Sequence, residues 1–522
     1  MSRLTFTRDE LGPTRAYPEQ SVHDIPDPIV DISVIERDFG RCQFTDEQLV
    51  AMIRYFVGNI WFSRIWTVQE MLLARQIRFI CGSDVASLDT IWRGAGVVTL
   101  FSAFSNIWDD IRHDPKLAWP RMFFDESNSQ RMRTIWNIRL HPTGPTAHGH
   151  RWRDATDPRD KIFGLLAISD TSMFGIHGRS IVADYSQAVE EVFTKVAVIS
   201  LLETEGWRSF TFIGDSTQNR IPNLPSWVAD YTQQSQWRPL QLILECKYQV
   251  TPSSQGQFRY NEDIPERLVV PYYEFDTVAS VCPACWRVYE SKNSEVVDLL
   301  NLLLSPSPVE PKGSDDIITM LVRTVTADEP AIDIRGHAFD ASGQFLEIIC
   351  CQLWLAVQKK SSTLAQRLLE GEVDPNLLTE ALDSVEIRRP PDTLVNDMAK
   401  MMSGYRTEKD VSIGARGLET YPGDLSRYAT HVGNSMQTAW GKWGADRTLF
   451  RTTRGHLGLG PRTAQPGDRV GILQGAKMPY IFRDKEGKEG AIKLVGESFV
   501  YGIMYGELEE EGSLEYIQAA LY

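Results

Sequence analysis

The side chains most able to do chemistry fall into four groups. Cys282-Pro-Ala-Cys285 has the spacing of a thiol–disulfide pair or of half a zinc site. It follows an apparent strand and runs on into WRVYE, with no second CxxC and no paired histidines nearby, so two ordinary structural cysteines are expected. His148-Gly-His150 offers two imidazoles, but its loop has no cysteine or carboxylate at metal-ligand spacing. Gly455, Gly458 and Gly460 carry the spacing of a dinucleotide-binding loop in reverse, without a strand–helix crossover, and read as turn glycines. The fourth group is ionic: Arg64 and Glu70 in WFSRIWTVQE, and Asp157, Arg159 and Asp160 in DPRDK. A buried Glu70 beside Trp66 would have a raised pKa and suit proton transfer. The commoner arrangement is an ion pair with Arg159, with Asp157 and Asp160 capping a helix, and this is the expectation.

The elements that carry these groups are legible in part. Apolar residues at Leu49, Met52, Ile53, Phe56, Val57, Ile60 and Trp61 keep one helix face, which predicts a helix or helix pair from Thr45 to about Ala74. Trp66, Glu70 and Ala74 would share one side of it. Ile77–Gly82 reads as a short strand and Ser87–Phe104 as an amphipathic helix. In DPRDKIFGLLAIS, Asp157 suits an N-cap, Pro158 the first helical position and Asp160 the positive end of the helix dipole. Ser186–Glu203 is a long helix, and Asn223–Tyr231 a proline-fixed segment anchored by Trp227. Leu268–Ser280 reads as strand-rich, with a turn near Tyr273–Asp276. Helices are expected at about Ile317–Ala327, Gly343–Leu369 and Asp392–Ser403, with Cys350 and Cys351 in their core and polar interruptions at Gly371–Pro391 and Tyr405–Pro422. From Arg447 to Gly506, short apolar runs are cut by Gly, Pro and Asp turns, including Pro466-Gly467 and Glu486-Gly487. That spacing predicts a small antiparallel sheet or partly closed barrel.

Composition bounds the function. The 522 residues call for about three domains, and a content of 42% hydrophobic and 24% charged residues is that of a globular protein. A net charge of −15 argues against general phosphate-backbone binding, so no nucleic-acid partner is expected. No apolar run approaches the roughly 18 residues of a membrane span, and no secretory h-region opens the chain. Seven cysteines do not suggest a disulfide framework, and a reducing, cytoplasmic compartment is expected. There is no P-loop, nucleophile elbow or HExxH, and no cofactor or metal is expected.

WFSRIWTVQE, with Trp61, Phe62, Arg64, Trp66, Gln69 and Glu70, resembles the last block of the heterokaryon-incompatibility (HET) domain of filamentous-fungal proteins. DPRDKIFGLLAIS, with Asp157, Pro158, Arg159, Asp160 and Lys161, is similar to a segment that follows that domain, as are ADYSQAVEEVF, LPSWVADY and FDTV. So is the tail, through Gly467, Asp468, Gly475, Pro479, Gly496, Glu497, Gly502, Gly506 and Glu507. The ordered match covers most of residues 45–507.

The resemblance implies a role in nonself recognition and programmed cell death, exercised through contacts with protein partners. HET domains are similar to TIR domains, some of which cleave NAD, so an NAD-cleaving or nucleotide-binding enzyme using Glu70 is the alternative, and an inactive family member a second one. The family's earlier blocks, of the forms ALSYxWG and WIDxxCINQ, have no counterpart before Trp61. The expectation is therefore an α+β protein, mainly helical in the middle. It comprises an irregular lead-in (1–44), a truncated HET-domain remnant (45–104), a helical or mixed region (105–303), a linker (304–316), a helical region (317–440) and a β-rich module (441–522).

Overall fold

The computed structural model describes residues 64–73, 78–87, 153–167, 181–201, 206–213, 220–233, 240, 247–252, 258–283, 293–304, 316–328, 331–332, 338–339, 342–370, 372–404, 447–488 and 490–522. Trp61, Phe62, His148, His150 and Cys285 lie outside them, as do the helices expected over 45–60 and 88–104 and nearly all of the 304–316 linker. The chain divides into two compact units, 1–196 with 231–234, and 197–230 with 235–522.

The first unit holds helix α1 (Trp66–Leu73), the hairpin β1 (Arg78–Cys81) and β2 (Asp84–Ser87), the short helix α2 (Asp160–Phe163) and the first part of α3 (Val189–Leu201). The expected strand at Ile77–Gly82 is β1, and Gly82, at φ 62°, turns the chain into β2. Of the helix or helix pair expected from Thr45 to about Ala74, the described part is helical only over Trp66–Leu73. Arg64 is extended and forms a parallel bridge with Asp154, and α1 begins only at Trp66. Helical spacing of apolar residues cannot reveal this break, because the Arg64 backbone is taken by a strand-like partner about ninety positions away.

The second unit is a sheet covered by helices. Its strands are β3 (Arg259–Tyr260), β4 (Leu268–Pro283), β7 (Arg447–Thr452), β8 (Leu457–Pro461), β9 (Arg469–Leu473), β10 (Tyr480–Asp484), β11 (Ala491–Glu497), β12 (Phe499–Val500) and β13 (Ile517–Leu521). Their order is β12-β8-β7-β4-β13-β11-β10-β9, and β4 also pairs with β9. That last pairing closes β4, β13, β11, β10 and β9 into a ring, so closure removes the edges that an open sheet would expose. The pairs are antiparallel except β11 with β13. A tail sheet was expected; the structure extends it with β4, which lies more than 160 residues upstream of β7 in sequence. β4 has no turn at Tyr273–Asp276. It stays a strand with register shifts between Glu274 and Asp276 and between Val278 and Ser280. These bulges let one strand bend from β13 and β9 to β7.

Both faces of β7 and β8 are covered, since every residue of these two strands is buried. Glycine makes this packing possible. A Cβ on Gly458 would lie 2.2 Å from Phe450 Cζ, and one on Gly460 3.1 Å from Phe450 Cε1. These two are seats for an aromatic ring rather than turn glycines; among the three, only Gly455, at φ 95°, serves a turn.

Helices α4 (Asn293–Leu304), α5 (Ile317–Val325), α6 (Ser342–Lys360), α7 (Ser362–Arg367), α8 (Pro375–Ser384) and α9 (Asp392–Met402) belong to the same unit, with a two-stranded β5 (Ala331–Ile332) and β6 (Ala338–Phe339) between α5 and α6. The apolar α6 is their centre: α4, α5, α7, α8 and α9 all touch it, α4 also meets β4, and α5 meets β8. Cys350 and Cys351 are fully buried in α6, and Cys282 is buried in β4, as ordinary core cysteines. The helix expected over Gly343–Leu369 is divided at Ser361, whose hydroxyl accepts from the Leu364 N–H and starts α7. Residues 371–391 are not only an interruption. Asp374 accepts from the N–H groups of Asn376 and Leu377, Pro375 occupies the first turn, and α8 follows. No helix of the described residues is long and apolar enough to cross a membrane.

Candidate functional site

The motif residues of the first unit form a joint between α1 and the segment 153–164. The Ile65 N–H donates to the Asp154 carbonyl over 3.0 Å, and the Thr67 hydroxyl donates to the Arg64 carbonyl over 2.7 Å, steadying the start of α1. The Arg153 guanidinium lies beneath this turn and donates to the Thr67 hydroxyl and the Arg64 carbonyl. Burial depresses Arg153 to about 9. Lys161, also buried, donates to the Arg153 carbonyl. Gln69 reaches the Phe163 carbonyl at 3.4 Å. A Cβ on Gly164 would stand 3.3 Å from Ile65, so glycine admits this close approach.

Arg159 does not pair with Glu70. Its Nε and Nη2 donate to Asp157 at 2.9 and 2.7 Å, and Nη1 donates to the carbonyls of Tyr185 and Gln187. Asp157 was the nearer partner, two residues away. It also accepts the Arg159 N–H and so closes the turn before α2, but it is not the N-cap expected: that position falls to Arg159, which makes no side-chain cap bond, and the helix starts at Asp160 rather than at Pro158. The Arg159 hydrogen bonds hold the Asp157 carboxyl below its ordinary range. Tyr185 donates to Asp160 over 2.6 Å, and this bond, followed by burial, pushes its phenol up to about 12. Asp184 accepts from the Ser186 and Gln187 side chains, which lower it to about 2. Glu70 is exposed on α1.

The motif residues of the second unit lie in the barrel and do comparable work. Glu497 and Arg447 are a fully buried ion pair, Oε1 to Nη2 2.6 Å, and the same Oε1 accepts the Leu240 N–H. Burial depresses the Arg447 guanidinium, and Glu497 opposes that shift. Gly496, at φ 155°, has no room for a side chain: a Cβ would lie 2.8 Å from both the Ile213 carbonyl and Pro461. Asp468, 1% exposed, accepts two bonds from Arg483 at 2.7 and 2.8 Å and the Gln465 N–H at 2.9 Å. Gly467 and Gly475 turn the chain at positive φ, and the Pro479 carbonyl accepts from Ser498. Gly502 and Gly506 bracket a turn in which Glu507, the first residue of helix α10 (Glu507–Glu511), accepts the Tyr505 N–H.

Beside them lies a hub that composition does not announce, FDTV. Asp276 accepts from the Thr453 hydroxyl and from the N–H groups of Arg454 and Thr277, pinning the tip of the β7–β8 hairpin. Burial raises this carboxyl, but the bonds from Thr452, Thr453 and the two backbone donors outweigh it, and the net shift is downward. Phe275 meets the His456 ring edge-on at 4.9 Å and lies under Arg454. The Val278 N–H donates to the Asp468 carbonyl, joining this hub to the Asp468–Arg483 pair.

Arg447, Arg483, Asp276 and Arg153 escaped recognition as site residues from sequence. For Arg483 a signal is visible, an arginine at the end of the otherwise apolar strand in PYIFR. Among the described residues no group of three or more His, Cys, Asp and Glu could hold a metal ion.

Comparison with known proteins places these features. A family model described as the Het-6 β-barrel domain matches residues 427–516. The chain is 40% identical over 511 residues to "Heterokaryon incompatibility protein 6, OR allele" of Neurospora crassa, an alignment covering 88% of this chain. It spans 66% of that relative, just under two thirds of its length. No solved structure matches.

Proposed function

The chain belongs to the heterokaryon-incompatibility (HET) family of fungal proteins, and from that premise we propose that it acts in nonself recognition, leading to programmed death of fused cells. The observation that carries this reading is the 40% identity to an incompatibility protein, sustained over 88% of the chain. The action proposed is through contacts with protein partners in the cytoplasm. The motif side chains support it, because those of known placement are spent on building. Arg159, Lys161, Asp468 and Glu497 each hold two segments of backbone or strand together within their own unit.

The test is induced expression in fungal strains of differing incompatibility type, scored by hyphal viability. Death confined to some strains is the expected result, and unimpaired growth in all of them at matched protein level contradicts the reading. NAD loss in the presence of the purified chain, abolished by Glu70→Gln, would overturn contact-based action in favour of an enzyme.

A further inference from the structure

We propose that Tyr505 is a phosphate-acceptor site and that its phosphorylation releases a strained corner at the end of α5. The proposal is independent of the incompatibility reading. Two consecutive non-glycine residues, Ala327 and Asp328, hold left-handed backbone at φ 50° and 57°. Left-handed backbone is strained for an L-residue, so the corner persists only where its surroundings enforce it. The enforcing groups are identifiable. The Tyr248 hydroxyl and Lys247 ammonium donate to the Ala327 and Asp328 carbonyls respectively, and the Asp328 N–H returns to the Arg323 carbonyl. The Asp328 carboxylate is held by Arg323, Nε to Oδ1 2.5 Å and Nη2 to Oδ2 3.1 Å, and by the Tyr505 hydroxyl on Oδ2.

Tyr505 is the member of this cluster that an enzyme can reach. It is 41% exposed. It lies outside every strand, between Gly502 and Gly506, and just ahead of α10, which buries none of its residues. Swinging Tyr505 out gives up its ring contact with Tyr248, 6.2 Å between centroids, while α10 beside it gives up no buried side chain. Upstream, Ile503 and Met504 are buried and keep the rest of the turn in place.

The reaction is transfer of the γ-phosphoryl group of ATP by a protein kinase. The bond from the bridging oxygen to the γ-phosphorus breaks, the Tyr505 oxygen–phosphorus bond forms, ADP leaves, and the phenolic proton passes to the kinase base. The product changes three interactions at once. The donor to Asp328 is gone, a dianion stands beside a carboxylate, and Arg323 gains a competing partner with three acceptor oxygens. Arg323 and Lys247 lie at the cluster already, so the phosphate has cations to engage, and it takes them at the expense of the corner.

The full chain, treated with Mg-ATP and a tyrosine kinase of broad specificity and mapped by mass spectrometry, should carry phosphate on Tyr505 in preference to the buried Tyr248, Tyr272 and Tyr480. Amide exchange at Asp328 should then accelerate about 10- to 100-fold, the weight of a lost charge-assisted bond. A chain with phosphotyrosine installed at 505 during translation gives the same reading without a kinase, and Tyr505→Phe should show a smaller acceleration and accept no phosphate there. Absence of phosphate at Tyr505, or unchanged Asp328 exchange in the phosphorylated chain, overturns the proposal.

Discussion

Replacing Glu497 by leucine should be among the most damaging single changes in the barrel. Both side chains of the Arg447–Glu497 pair are inaccessible to water, and their contact is 2.6 Å. Removing the acid leaves a guanidinium buried and uncompensated, for which broken buried pairs cost about 3–5 kcal/mol. Part of the loss is the Leu240 N–H, which also gives up its acceptor. For a unit of some 300 residues, unfolding entropy makes 1 kcal/mol worth roughly 1.5 °C, so the second unit should melt about 5–8 °C lower. The double variant Arg447→Met with Glu497→Leu separates charge from packing, because replacing a whole buried pair by apolar side chains is often nearly neutral. It should recover most of the loss, measured by calorimetry on the full chain. A Glu497→Leu chain that melts within about 1 °C of the parent would refute the reasoning, as would a double variant that melts lower still.

Gly458→Ala places a methyl 2.2 Å from Phe450 Cζ and should cost about 1–3 kcal/mol by overpacking, read as a lower urea midpoint at unchanged slope. Asp276→Asn should remove an acid-sensitive component of stability. The Asp276 carboxyl is depressed in the folded chain, so its contribution is complete above the ordinary carboxylate range and fades as pH falls through the folded value. The variant should accordingly lose less stability than the parent between pH 5 and 3 in denaturation curves. Arg159→Lys keeps the charge but not the fork that binds Asp157 and two carbonyls together, so amide exchange over residues 184–188 should quicken. Glu70→Gln, at an exposed position, should change the melting free energy by under about 0.5 kcal/mol.

Local signals carried the sequence reading furthest. The apolar spacing in Asp392–Met402 gave α9 almost to the residue, and Asp157-Pro158 marked the turn before α2. The same Asp-Pro signal stands at Asp374-Pro375, where a polar surrounding hid α8. What could not be read is pairing over distance. Nothing in RTLFRT names Glu497 as the partner of Arg447, fifty residues away, and nothing in LGLGP says that Gly458 receives the Phe450 ring. β4 illustrates the same limit: one run of alternating residues serves four neighbouring strands, and its bulges are set by those neighbours. Arg159 went to Asp157 rather than Glu70 because a two-residue loop closes at far lower entropic cost than a contact across elements.

We propose that this chain triggers incompatibility through a folded scaffold rather than through Glu70 chemistry. The most direct measurement is viability of forced heterokaryons between a strain expressing the chain and strains of different incompatibility type, with Glu70→Gln and Glu497→Leu chains beside it. Death is expected in at least one pairing, retained by Glu70→Gln and weakened by Glu497→Leu. Normal growth in every pairing at matched protein level, or death abolished by Glu70→Gln alone, would contradict it.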